Sequence, residues 1–170
     1  GLGQGWLELD YSALDLIAGT YGITAIIGPS GGTVTKYDST TSTTYTDALL
    51  NVDVSDGEGN GWAIYGTQNA DIIRVDLDGN DEWMEIVGGD GADTFAASGG
   101  QVRLMLNWDR GTDPNDVVIN ASDYAVADVV VNGVTTPVTI DANSGRDAYG
   151  NIDILETTFS EYRSFGGTDV

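Results

Sequence analysis

Apolar and polar residues alternate in short runs along this chain, and the runs are separated by glycine, aspartate, asparagine and serine. Successive side chains of an extended strand point to opposite faces, so this alternation marks half-buried strands. Residues 22–27, 33–37, 72–75, 84–87, 117–120, 129–131 and 138–140 each read as a strand, rich in Val, Ile and Thr. Two helical turns are expected, at 12–18, with a serine N-cap ahead of Gly19, and at 122–127. The Ser/Thr-rich stretch 39–46 reads as a loop. Neither helical segment is long enough to set the class, so the pattern predicts an all-β fold of short strands and tight turns.

The pattern also repeats. Gly3-Gln4-Gly5-Trp6-Leu7-Glu8-Leu9-Asp10-Tyr11 returns as Gly100-Gln101-Val102-Arg103-Leu104-Met105-Leu106-Asn107-Trp108, an offset of 97. Asp47-Ala48-Leu49-Leu50-Asn51-Val52-Asp53-Val54 returns as Asp147-Ala148-Tyr149-Gly150-Asn151-Ile152-Asp153-Ile154, an offset of 100. The stretch 66–72 corresponds more loosely to Ser164-Phe165-Gly166-Gly167-Thr168-Asp169-Val170, an offset of 98. Three matches in the same order predict tandem units of about 97–100 residues, 1–98 and 99–170, the second truncated as in a longer array.

Charge narrows the chemistry. The chain carries 27 Asp and Glu against 6 Lys and Arg, a net charge of -21, which repels nucleic acid and anionic membrane surfaces. It has no His and no Cys, which excludes Ser-His-Asp and Cys-His catalysis, the usual zinc sites, iron–sulfur clusters and disulfides. With 41% hydrophobic residues and four Trp, a folded core is expected in spite of the charge. No apolar run is long enough to span a membrane, and no signal-peptide pattern opens the chain. Gly1 reads as the start of a fragment or a processed product. Oxygen-ligand chemistry remains: hard cations, or carboxylate acid–base work.

The strongest local motif is Gly88-Gly89-Asp90-Gly91-Ala92-Asp93-Thr94-Phe95-Ala96, which fits the nonapeptide G-G-x-G-x-D-x-U-x, U being apolar, at every specified position. Gly66-Thr67-Gln68-Asn69-Ala70-Asp71-Ile72-Ile73-Arg74 keeps the Asp and the apolar residue but loses two glycines, and Asp76-Leu77-Asp78-Gly79-Asn80-Asp81-Glu82-Trp83-Met84 keeps Gly79, Asp81 and Trp83. Glycine admits backbone conformations that turn carbonyl oxygens toward one point, and an Asp two residues past the last glycine adds a charged oxygen. The residue two further on enters a strand and faces its interior. A turn that gathers oxygens and a strand that buries one side chain suit calcium, which accepts six to eight oxygens in flexible geometry.

At this motif the chain resembles the RTX, or haemolysin-type, calcium-binding repeat proteins. The resemblance covers residues 66–96, with an echo at 164–170. It implies a right-handed parallel β-roll or β-solenoid, calcium between successive turns on each edge, and type I secretion to the extracellular space or cell surface. The candidate calcium ligands are Gly66, Gln68, Asp71, Asp76, Asp78, Asp81, Gly88, Asp90, Asp93, Gly166 and Asp169. Asp71, Asp81 and Asp93 are spaced by 10 and 12 where the family has 9, which implies an irregular roll. Asp71 and Asp93, two half-turns apart, are expected on one edge and Asp81 on the other.

Other oxygen-rich stretches are weaker. Asp56-Gly57-Glu58-Gly59-Asn60-Gly61 lacks the Glu of an EF-hand at position twelve, which is Thr67. Oxygens alternate in Asp141-Ala142-Asn143-Ser144-Gly145-Arg146-Asp147, and Asp109, Asp113, Asn115 and Asp116 cluster. Chains this acidic produce both by chance. Trp6, Trp62, Trp83 and Trp108 read as core and strand-capping aromatics before a sugar-stacking platform. Asn120-Ala121-Ser122 matches a glycosylation acceptor, a triplet common by chance, and Gly28-Pro29-Ser30-Gly31-Gly32-Thr33 lacks the Lys of a phosphate loop.

Three function classes compete. The repeat favours a calcium-binding structural unit of a secreted bacterial adhesin, surface layer or extracellular filament. Its expected partners are calcium ions, neighbouring repeats or copies of the same protein, and cell-surface or matrix polysaccharide, with no nucleic acid and no membrane insertion. The alternative is the calcium-folded secretion module of an exported enzyme such as a protease, lipase or alginate epimerase. An enzyme in its own right, cleaving polysaccharide with paired carboxylates, is disfavoured by the absence of His, the single Lys36 and the lack of a distinctive carboxylate pair.

Overall fold

A computed structural model describes residues 7–16, 22–50, 61–77, 83–106, 118–120, 125–131, 134–147 and 150–163. In chain order its strands are β1 (Leu7–Asp10), β2 (Ile23–Gly28), β3 (Gly31–Asp38), β4 (Thr43–Leu50), β5 (Gly61–Tyr65), β6 (Ile72–Asp76), β7 (Trp83–Val87), β8 (Thr94–Ser98), β9 (Gln101–Met105), β10 (Val118–Asn120), β11 (Ala125–Val131), β12 (Val134–Ile140), β13 (Ser144–Arg146), β14 (Ile152–Leu155) and β15 (Glu161–Arg163). The fold is all-β, as the alternation predicts. Among the described residues no helix is long and apolar enough to cross a membrane.

One sheet has the order β1-β5-β7-β9-β15, and all its neighbours are parallel. The other has the order β10-β13-β14-β8-β6-β2-β3-β4. Its centre, β14-β8-β6-β2, is parallel, while β3 and β4 at one side and β13 and β10 at the other are antiparallel. β11 and β12 form a separate antiparallel pair. From β5 to β9 the chain changes sheet at every strand, so each parallel neighbour is reached through one strand of the opposite sheet. The strands of residues 7–98 and of residues 101–163 share both sheets.

This alternation stacks equivalent apolar residues in rows. Ala25, Ile73, Phe95 and Leu155 pair successively in the larger sheet, and Ile64, Ile86 and Leu104 in the smaller. All are buried and belong to one core. Burying such side chains contributes about 1.5–3 kcal/mol each, the main favourable term of the fold. Phe95 and Ile73 are the residues two past Asp93 and Asp71, where the motif places an inward side chain.

Arginine ties the outer faces together. Glu85, Arg103 and Glu161 occupy one row. Arg103 Nη1 reaches Glu85 Oε2 at 3.2 Å and Nη2 reaches Glu161 Oε2 at 2.8 Å, while its guanidinium lies 4.5 Å from the centre of the Trp83 ring. On the other sheet Arg74 grips Glu156 with Nε at 2.8 Å and Nη2 at 2.7 Å. Ala96 lies between them in the row and is small enough to be spanned.

Local expectations are corrected in two places, and a third is met with a different cap. Residues 43–46 are strand, not loop: threonine favours extended backbone, and Thr43–Leu50 pairs along its whole length with β3. Only 39–42 turn, held by Asp38, which accepts from Thr40 N, Thr41 N and Thr41 Oγ1. Of the expected helix 122–127, residues 125–127 open β11, because pairing with β12 outweighs a weak local preference; residues 122–124 lie outside the described residues. At 12–18 the described part is a 3-10 turn, Ser12–Leu16, capped from Asp10, whose Oδ1 accepts from Ser12 N and Oγ at 2.9 and 2.6 Å.

Candidate metal centre

The turns 66–71 and 88–93 both lead from the smaller sheet to the larger. Their flanking strands are paired, so one turn lies directly against the other. Gly66 N donates to Val87 O at 2.8 Å, and Thr94 N to Asp71 O at 2.8 Å. The approach is closest at Gly89, which has a φ of +100°. A Cβ there would lie 2.0 Å from Thr67 O, so only glycine fits. Gly88 is confined for another reason: its Cβ would lie 2.6 Å from Asp93 Oδ2 and 2.7 Å from Leu106 O. Phe95 Cζ lies 2.7 Å from the same point, so the site is packed tightly enough that only glycine fits.

Where these turns enter the larger sheet, aspartates form a ladder. Ile23 N donates to Asp71 Oδ1 at 2.7 Å, Asp71 N to Asp93 Oδ1 at 2.8 Å, and Asp93 N to Asp153 Oδ1 at 2.8 Å. Each carboxylate thus accepts from the backbone one rung away. The second oxygens differ. Asp71 Oδ2 accepts from Thr67 N at 2.6 Å, and Thr67 Oγ1 donates to Oδ1 at 3.0 Å. At the next rung the equivalent amide, Gly89 N, donates instead to Leu106 O at 3.1 Å. Asp93 Oδ2 and Asp153 Oδ2 meet no hydrogen-bond partner among the described residues, although the two side chains are 1% and 0% exposed.

A buried carboxylate without a partner is costly in its charged form. Burial, then the charges of Asp153 and Asp71, push the Asp93 carboxyl up to about 9. Burial pushes Asp153 up to about 8 against the bond from Asp93 N, with the charges of Asp147 and Asp90 adding to the rise. Asp147, also buried, is raised by burial in spite of its bonds from Asn151 and Gly150. Among the described residues no Lys or Arg pairs with the carboxylates of Asp93 or Asp153, while the buried Arg146 directs Nη1 to the Asp147 carbonyl at 3.3 Å. The atoms left without a hydrogen-bond partner are oxygens, the ligand type of hard cations such as calcium. No preformed cage of three or more acidic side chains occurs among the described residues.

The structure brings Gly66, Gln68 and Asp71 together with Gly88, Asp90 and Asp93 in the two stacked turns. Gln68 is exposed, while Asp90 is half-buried and accepts from Gly91 N at 2.7 Å. Asp76 closes β6 at the end of the strand away from Asp71, on the opposite edge. Asp78, Asp81, Gly166 and Asp169 lie outside the described residues, as do residues 56–60 of the stretch 56–61 and the cluster 109–116. The repeated segments at 47 and 147 differ in setting. Asp47 is on β4, held by Lys36 Nζ at 2.6 Å, whereas Asp147 is wholly buried in a turn. Sequence reasoning missed Asp153. Its signal is an Asp two residues before the buried Leu155, as Asp93 precedes Phe95, hidden by the 60 residues between the rungs.

No protein-family model, curated protein or solved structure matches the chain.

Proposed function

We propose that this chain is a calcium-binding structural repeat, a parallel β-roll from a secreted adhesin, surface layer or extracellular filament, resembling the RTX proteins. The observation that carries the reading is the second oxygen of Asp93, buried and without a hydrogen-bond partner among the described residues, in the one turn that fits the complete motif. Supporting it are the stacking of the two motif turns, strand-by-strand alternation between two parallel-centred sheets, and a net charge of -21 that opposes collapse without counterions. When bound, calcium supplies the positive charge that the ladder lacks. Asp93 would hold it, with backbone oxygens of the stacked turns. The protein's part is to order these oxygens and keep water from the carboxylate.

Binding to the folded chain alone stabilises it by mass action. Extracellular calcium modules bind at about 10⁻⁴–10⁻³ M, so millimolar calcium is sufficient. Thermal unfolding followed by circular dichroism is expected to shift upward from EDTA to calcium. Superimposable curves would sink the proposal.

A further inference from the structure

The larger sheet has a second face, turned to solvent. Strand pairing aligns its outward side chains in rows across β4, β3, β2, β6, β8 and β14. One row reads Thr46, Thr35, Thr24, Ile72, Thr94 and Ile154, and the next reads Ala48, Thr33, Ile26, Arg74 and Ala96. Of the seven large hydrophobic side chains exposed among the described residues, five stand on this face: Ile26, Tyr37, Leu50, Ile152 and Ile154. Ile26, near its centre, is 55% exposed, and Ile154, at its margin, 53%. Charge is nearly absent. The chain has 27 Asp and Glu, yet the outward positions here hold only Asp76 and Glu156, and Glu156 is paired with Arg74 at 2.7 Å. Lys36, Asp38 and Asp47 hold inner-face positions, in step with the buried Val34. A strongly acidic molecule thus presents one broad face of threonine, isoleucine and alanine.

We infer that this face is an interface between copies of the chain, each packing the outer surface of its larger sheet on that of another. Bodies of net charge -21 repel one another, and contact costs least where neither copy presents unpaired charge. A cationic partner would find better sites on the acids elsewhere, whereas a second copy is repelled from those and favoured here. The residue types suit it. Sheets pack face to face about 10 Å apart through interdigitating side chains, and the exposed isoleucines would leave water on contact. The face has relief to receive them, since the small Ala96 leaves a groove between Ile26 and Thr157, bounded by Arg74 and Ser98. With strands about 4.8 Å apart and residues about 3.3 Å apart, six strands of about five residues cover about 470 Å². Two such faces bury roughly 900 Å² or more, at the low end of specific interfaces, so the association of single copies is weak and reversible. This inference rests on the structural-repeat reading above and deepens it by naming the surface through which copies meet; it does not depend on calcium.

Sedimentation equilibrium of the full chain in millimolar calcium tests the interface. From about 5 to 500 µM protein, the expected result is a monomer–dimer equilibrium with a dissociation constant on the order of 10⁻⁵–10⁻⁴ M. Raising salt from about 0.05 to 0.5 M should tighten it by about tenfold, because screening removes repulsion between the acidic bodies while an apolar contact is kept. Ile26→Lys should weaken dimerisation by about tenfold or more, although it lowers the net negative charge and so the general repulsion. Tyr45→Lys, at a similarly exposed position on the opposite side of β4, should leave it unchanged. Circular dichroism checks that each variant folds, and if Ile26→Lys does not, Ile154→Lys serves with the same readout. A chain that stays monomeric at the highest protein and salt concentrations would overturn the inference and assign the face to a partner of different chemistry. A dimer that Ile26→Lys and Ile154→Lys leave intact would overturn it as well. Calcium is scored separately: a chain that dimerises through this face but melts identically in EDTA and calcium would overturn the calcium reading alone, and a calcium-stabilised monomer would do the reverse.

Discussion

Replacing Asp93 by asparagine removes a charge from a place where the calcium-free fold has nothing to balance it. The folded value of about 9 lies above the ordinary 3.8. Between those values the folded protein holds a proton that the unfolded chain has shed, so stability is greatest at low pH and is lost as pH rises toward 9. Each pH unit above the ordinary value costs about 1.4 kcal/mol, or on the order of 5 kcal/mol at pH 7.5. Asparagine escapes this cost and keeps the oxygen that accepts from Asp71 N. Against that stands its amide hydrogen, whose burial without an acceptor costs about 1–3 kcal/mol. The net expectation in EDTA is a gain of about 2–4 kcal/mol, which for a chain of this size raises the melting temperature by about 5–15 °C. Asp71→Asn should do the opposite. Both oxygens of Asp71 already accept backbone hydrogens, so an amide group turned toward Thr67 N or Ile23 N loses about 1–3 kcal/mol. Melting curves in EDTA between pH 5.5 and about 8.5 test the pair. Wild type should lose stability with rising pH, and Asp93→Asn should be flatter and higher at pH 7.5. In calcium the wild type should gain most and Asp93→Asn least. An Asp93→Asn protein that melts below wild type in EDTA at pH 7.5 would refute the reasoning.

Calcium binding should release a proton, because the ion replaces hydrogen on Asp93; affinity should fall as pH drops from 8 to 6, and titration calorimetry in buffers of different ionisation enthalpy should read the released proton. Heats independent of buffer would contradict this. Gly89→Ala should destabilise the fold by about 2 kcal/mol or more, from positive φ and the clash with Thr67 O, as measured by urea unfolding. Arg103→Met should cost about 1–3 kcal/mol, since it leaves the nearly buried Glu85 without its partner and uncovers Trp83. A shift in tryptophan emission should accompany the loss, and unchanged stability and emission would show that the row carries no weight.

Local chemistry is legible in the order of the residues. Alternation in Ile72–Asp76 or Trp83–Val87 comes from side chains pointing to opposite faces, and it needs no distant partner to be read. The same holds for Phe95, buried two residues past Asp93 because a strand follows the glycine turn. Where local preference is weak, as at 43–46 and 125–127, the paired strand decides the backbone. The candidate centre divides along the same line. Asp71 and Asp93 hold the same motif position, yet one carboxylate is satisfied and the other is not. The difference lies in a single amide: Thr67 N turns to its own aspartate, while Gly89 N is drawn to Leu106 O, just past β9. Asp153 joins the ladder across 60 residues, through the pairing of β14 with β8. Sequence alone determined which residues could make oxygen-rich turns, because that property belongs to a few adjacent residues. Which oxygen is left without a partner was decided by strand pairing, because a buried carboxylate's charge depends on donors that only the folded neighbours supply.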